Sequence, residues 1–224
     1  MKTRLLILSF LIFVSTSHGQ TIFLKLGPSF SMLTWKSNAP YSDSYDNTPN
    51  FNIGFDAIAG VNYLNFKYFN LSSGIGCIQK SGYNIITIQN GEYGPNSKNH
   101  ITTRLNFLTI NTTFNLKIPI KKSIEPNIFI GPRLDYLFSK NDGILKQVYD
   151  VSKINKVIYG ILCGAGINFN VKRFQLGLVV DYYFNINKLV DYTKTYNLSN
   201  GSREITEKIY DNTFTINALI GFKF

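Results

Sequence analysis

Charge is scarce in this chain of 224 residues. Asp, Glu, Lys and Arg make up 16% of it, against an average near 25%. Low charge together with 44% hydrophobic and 15% aromatic residues excludes a disordered protein. Two cysteines exclude a disulfide-dense scaffold. No apolar run reaches the roughly 20 residues of a membrane helix, and mean hydropathy is −0.02. No apolar pattern at helical spacing survives beyond the first residues. Past residue 19 a single histidine remains, His100, and no Cys-x-x-Cys occurs. A His/Cys metal centre is therefore excluded, and no cofactor is expected.

What is present begins with a targeting pattern. Lys2 and Arg4 precede an apolar run from Leu5 to Val14, interrupted only by Ser9, and small residues Ser17 and Gly19 precede Gln20. The spacing predicts a signal peptide over 1–19, cleaved before Gln20. No cysteine follows the run, so a lipid anchor is not expected. Loss of Lys2 and Arg4 from 23 Lys and Arg leaves 21 against 13 Asp and Glu. The exported chain, 20–224, is thus still basic.

The rest alternates with period two. Phe214, Ile216, Ala218, Ile220, Phe222 and Phe224 interleave with Thr215, Asn217, Leu219, Gly221 and Lys223. Phe174 to Phe184 and Val157 to Phe169 do the same. Such alternation marks half-exposed strands. Eight are expected, near 21–33, 51–63, 66–80, 103–118, 125–138, 156–170, 173–185 and 211–224. In the fourth, Phe107 and Ile110 fall on opposite parities, which points to a bulge there. Each segment is long enough for the roughly 9–11 tilted residues that cross a membrane.

The connections alternate in length. Short turns lie at 64–65, 119–124 and 171–172; long polar loops lie at 34–50, 81–102, 139–155 and 186–210. Long loops on one rim, short turns and both chain ends on the other, are the plan of an up-and-down transmembrane barrel. The apolar face should point out, because the other face is built from small uncharged residues. Gly54, Gly60 and Asn62, then Asn70, Ser72, Gly74 and Gly76, then Gly160, Gly164, Gly166 and Asn168 suit a crowded eight-stranded lumen. A water-facing surface would carry Lys and Glu. Aromatics gather at both strand ends, as two membrane interfaces select. The expected fold is an all-β, eight-stranded, antiparallel up-and-down transmembrane barrel.

The leader, the eight alternating segments and the closing Gly221-Phe222-Lys223-Phe224 resemble the small outer-membrane β-barrel proteins of Gram-negative bacteria. Segments such as 54–63, 74–80, 105–118 and 130–138 are similar to the PorT-like, "porin family" outer-membrane β-barrel domain. The resemblance covers essentially all of the exported chain. It implies integral placement in the outer membrane with both termini periplasmic, and a role for Phe224 as the signal read by the barrel-assembly machinery. The family brings no catalytic residues.

Little chemistry is on offer. Cys77 and Cys163 fall on the apolar face of non-adjacent strands and are expected as free thiols. His100 stands in a long loop with Ser81 and Ser97, the ingredients of a lipid A hydrolase or acylase, but an unanchored polar loop does not hold a catalytic geometry. No enzyme is expected. Charges on the inward parity are few: Asp56, Arg133, Asp135 and Asp181 at mid-height, Lys25 and Lys223 lower. Arg133 is expected as the one mid-lumen cation, paired with at least one Asp in a network that plugs the barrel. The basic balance points to outer-membrane lipids and lipopolysaccharide as partners, and export argues against nucleic acid. The expected function is a barrel with a filled lumen acting through its loops or as a structural component. A narrow pore, a secretion accessory and the lipid A enzyme are the alternatives.

Overall fold

A computed structural model of the chain describes residues 20–37, 50–88, 97–118, 120, 123–141, 154–198 and 201–224. The signal peptide expected at 1–19, most of the loop expected at 34–50 and the Trp35 side chain lie outside the described residues. Among the described residues nine strands follow one another: β1 (Thr21–Ser37), β2 (Asn50–Tyr63), β3 (Phe69–Ile88), β4 (Ser97–Lys117), β5 (Ile124–Asn141), β6 (Val157–Val171), β7 (Phe174–Asn185), β8 (Val190–Leu198) and β9 (Gly201–Lys223). Eight of them pair antiparallel in chain order, and β1 closes on β9 from Thr21↔Lys223 upward. Closure leaves no free edge in the barrel wall, the condition for a sheet to stand in lipid.

Parity sets the two faces as the alternation requires. Outward residues of β7, for example, are Phe174, Leu176, Leu178, Val180, Tyr182 and Phe184, all 40% or more exposed. From Phe174 to Phe184 the strand runs roughly 33 Å at about 3.3 Å per residue. At a tilt near 40° that is about 25 Å of height, the apolar band of an outer-membrane barrel. The rings at each end touch one another. Phe30 stacks on Phe214 at 4.9 Å near the long-loop rim, with Phe51 edge-on at 5.9 Å. At the short-turn rim Phe66, Phe69 and Phe114 form one row, and Phe174, Phe222 and Phe224 another.

Three expectations need correction. The loop at 81–102 is largely strand, because β3 and β4 continue as one hairpin through Ile88↔Ser97. The loop at 186–210 contains β8, which pairs with the long-loop half of β9. Period two is masked in both segments because polar residues fall on both faces beyond the membrane. The irregularity expected in the fourth strand lies in β5. Asn106 pairs with Ser139 and Phe107 with Leu137, so the residue passed over is Phe138. Phe107 breaks the apolar-out pattern because it points into the lumen, where it is fully buried.

Two of the short turns are tight. Leu64 and Lys172 take positive φ, 50° and 53°, a left-handed conformation that is uncommon without glycine. Several inward glycines stand where a neighbouring strand's backbone comes too close for a side chain. At Gly160 an added Cβ would stand 2.0 Å from the Phe184 carbonyl oxygen and 2.9 Å from Arg133 Nη2.

Candidate functional site: the filled lumen

The lumen is built in layers by inward residues of the eight wall strands. Near the long-loop rim the layer is apolar. Leu33, Leu105, Leu137, Ile158 and Ile209 come from the wall; Ile154 precedes β6, Leu189 precedes β8 and Val190 opens β8, and all are buried. Backbone bonds fasten these segments down: Asn155 N donates to Leu189 O at 2.9 Å, and Leu189 N to Ile209 O at 3.1 Å. The Asn187 carboxamide accepts from Tyr159 N and donates to Val157 O, both at 2.9 Å.

Below this cap lies a charge network. Lys80 of β3 reaches Asp211 of β9 at 2.6 Å and Asp135 of β5 at 3.1 Å. Arg133 donates to Asp135 and to Asn185. Asn185 in turn donates to the Asp211 carboxylate at 2.9 Å, and Thr213 donates to it at 2.6 Å. Deeper down, Lys25 of β1 holds Asp181 of β7 through both oxygens, at 2.8 and 3.0 Å. Asn217 donates to Asp181 at 2.8 Å and to Asp56 at 2.7 Å. Tyr183 joins the two clusters. Its hydroxyl lies 3.3 Å from Asp56, and its ring carries the Arg133 guanidinium at 4.9 Å and the Lys80 ammonium at 5.8 Å.

Lys80, Asp135, Asp181 and Tyr183 are each 0% exposed. Buried ions need partners on this scale, since an isolated one costs several kcal/mol. Three cations face four carboxylates, and Asp56 and Asp135 each keep one oxygen without a protein partner.

The six residues expected in a lumen network separate into two groups. Arg133, Asp135, Asp56, Asp181 and Lys25 gather around Tyr183. Lys223 stands apart at the short-turn rim, donating to Asn170 at 2.7 Å. Arg133 bonds Asp135, one of the carboxylates expected as its partner. One detail is corrected: Arg133 is not the one mid-lumen cation but shares that level with Lys25 and Lys80. Lys80 and Asp211 escaped the reading of the sequence because they stand at the ends of the alternating segments, next to stretches taken for loops. Phe224 is exposed on the outer face; its backbone N donates to Gln20 O at 3.1 Å. Cys77 and Cys163 are both free. The β3–β4 register pairs Ser81 with Arg104 and His100 with Ile85. Ser81 is thus four residues along from His100's partner, roughly 13 Å at about 3.3 Å per residue. The side chains of His100 and Ser97 lie outside the described part.

A closed antiparallel barrel with an apolar exterior between two aromatic rims and a charge network inside is built for a bilayer. The family described as the outer membrane protein beta-barrel domain matches residues 15–191. The chain belongs to that family. This outer-membrane barrel protein is similar in fold to OprG of Pseudomonas aeruginosa, at 11% identity, 93% of this chain, 97% of that one and a TM-score of 0.52. The N-terminal barrel domain of OprF from the same organism aligns at 8% identity over 93% and 100% of the two chains, TM-score 0.48. Ail of Yersinia pestis aligns at 11% identity over 92% and 99%, TM-score 0.41. No curated protein matches the sequence. As a family member the protein is an integral outer-membrane barrel.

Proposed function

We propose that this outer-membrane barrel does not conduct, and that it works at the cell surface through the strands that rise past its long-loop rim. The observation that carries the reading is the occupied lumen: Lys80, Phe107, Asp135, Asp181 and Tyr183, from four different strands, meet at mid-height with no exposure. Packed side chains of this kind leave no path for a hydrated ion. The surface role rests on the β3–β4 and β8–β9 hairpins, whose paired backbones extend well beyond the aromatic rim. Both chain ends then lie in the periplasm, at the short-turn rim. Exposed Arg104, Lys140 and Lys156 near the other rim suit contact with lipopolysaccharide phosphates. Binding through outer hairpins needs no catalysis, and the register distance between Ser81 and His100 favours that reading over a lipid A enzyme.

Planar-bilayer recording tests the proposal. Purified barrel should insert without discrete conductance steps, and a detergent pulldown from native membranes should recover partners that are lost when 190–210 is deleted. Stable steps in the wild-type protein would replace the proposal with the pore.

A further inference from the structure

The positive charge of the exported chain is not spread evenly over the barrel. The long-loop side, in segments 34–50, 81–104, 139–156 and 186–210, holds eleven Lys and Arg against eight Asp and Glu. The short-turn side holds seven against one. Lys67 stands in the β2–β3 turn and Lys172 with Arg173 in the β6–β7 turn. Lys117, Lys121 and Lys122 come from the end of β4 and the turn after it, with Glu125 as the one acid, and Lys223 closes β9. Lys121 and Lys122 lie outside the described residues and enter this count by sequence alone.

Lys67, Lys172 and Arg173 are exposed. Lys117 and Lys223 instead donate to Asn65 and Asn170 at the mouth of the lumen. No ion pair among the described residues involves any cation of this rim. The backbone beneath the cations is tied down: Phe66 N donates to Phe69 O at 2.9 Å, Lys117 N to Tyr68 O at 2.7 Å and Lys223 N to Arg173 O at 2.8 Å. The β2–β3 and β6–β7 turns are four strands apart in a ring of eight, so their cations stand on opposite sides of the barrel. Exposed rings share these turns. Phe66 and Tyr68 flank Lys67, whose ammonium lies 5.0 Å from the Tyr68 ring centre, and Phe174 follows Arg173; all three rings are more than half exposed.

Rings and cations in one turn fix the depth of those cations. Exposed aromatics of a membrane protein sit at the headgroup level, and long basic side chains beside them reach the phosphates. Each basic side chain near an anionic bilayer surface strengthens the attraction roughly fivefold. A soluble acidic partner would meet the cations but has no use for rings seated in lipid, so the pairing of the two favours a lipid over a protein.

We propose that the short-turn rim is a seat for anionic glycerophospholipids, with Lys67 holding one headgroup and Lys172 with Arg173 another on the far side of the barrel. The leaflet, the inner one, rests on the orientation proposed above; the lipid preference does not, and a reversed orientation would move the seat to the outer leaflet with the preference intact. Native mass spectrometry of the folded barrel in detergent, titrated with phosphatidylglycerol and with phosphatidylcholine of the same acyl chains, tests it. The anionic lipid should bind at least about fivefold more tightly. The joint variant Lys67→Gln, Lys172→Gln, Arg173→Gln should bring the two lipids within about twofold of each other. The charge-matched variant Lys36→Gln, Lys194→Gln, Lys208→Gln, on strands beyond the other rim, should keep the wild-type ratio. Heat-modifiable gel migration confirms that both variants fold. Equal binding of the two lipids by the wild-type barrel, a preference that survives in the short-turn variant, or the same loss in both variants would overturn the proposal. So would cosedimentation with purified peptidoglycan that depends on the three cations in a barrel without lipid preference, which would assign the rim to the cell wall.

Discussion

The Lys25 ammonium lies 2.8 Å from the Asp181 carboxylate, joining β1 to β7 across the face of β9. Both side chains are at least 90% buried, and Thr215 and Asn217 of the intervening strand donate to the same Asp181 oxygen at 3.2 and 2.8 Å. The pair clamps three wall strands at the point where the sheet closes. Lys25→Met removes the cation and leaves a buried carboxylate behind, which should cost about 3–5 kcal/mol. The joint variant Lys25→Met with Asp181→Leu should recover much of that loss. Urea unfolding in lipid vesicles measures both, and an equal deficit in the single and joint variants would contradict the clamp.

Arg133 supports the second cluster. It donates to Asp135 and Asn185 while stacking on Tyr183. Arg133→Ala is expected to destabilise the barrel by about 3–5 kcal/mol, because Asp135 would keep only Lys80. Arg133→Lys should restore part of the loss but not the two-pronged contact. The same unfolding measurement ranks the three proteins.

Tyr183 separates a hydrogen bond from a ring. Tyr183→Phe keeps the ring beneath both cations and removes one donor from Asp56, for an expected cost of about 1–3 kcal/mol. Tyr183→Ala also opens a void and should cost about 3–5 kcal/mol. If the plug closes the lumen, the alanine variant should show conductance flicker in bilayers and the phenylalanine variant none.

Gly164 tests how crowded the interior is. A Cβ there would lie 2.2 Å from the Val180 carbonyl oxygen and 2.4 Å from the Phe129 ring. Gly164→Ala should therefore destabilise by about 1–3 kcal/mol through overpacking. Ala165→Val, on the exposed outward face of the same strand, should be nearly neutral.

Orientation is testable on intact cells. With Cys77 and Cys163 replaced by alanine, Thr195→Cys on β8 should react with an impermeant maleimide before lysis. Ser123→Cys in a short turn should react only after it. The reverse pattern would invert the barrel.

Much of this architecture was legible before any coordinates. Period two sorts residues into faces without reference to neighbours, so β7 and β9 announce which side chains meet lipid and which meet the lumen. The alternation of short and long connections orders the strands, and the run of small polar residues decides which face is inside. What alternation cannot carry is height. Which inward residues meet depends on strand tilt and on register between strands distant in sequence. Lys80 and Asp211, 131 residues apart, come together only because closure of β1 on β9 brings β3 and β9 to face each other across a narrow lumen. The same holds for glycines that stand opposite carboxamides, Gly74 by Asn111 and Gly177 by Asn168: each residue is visible in the sequence, but the pairing exists only in the ladder. Apolar inward residues such as Leu33, Leu105 and Leu137 break the outward pattern for a tertiary reason as well. Beyond the aromatic rim there is no lipid to face, and the apolar side chains turn in to cap the barrel.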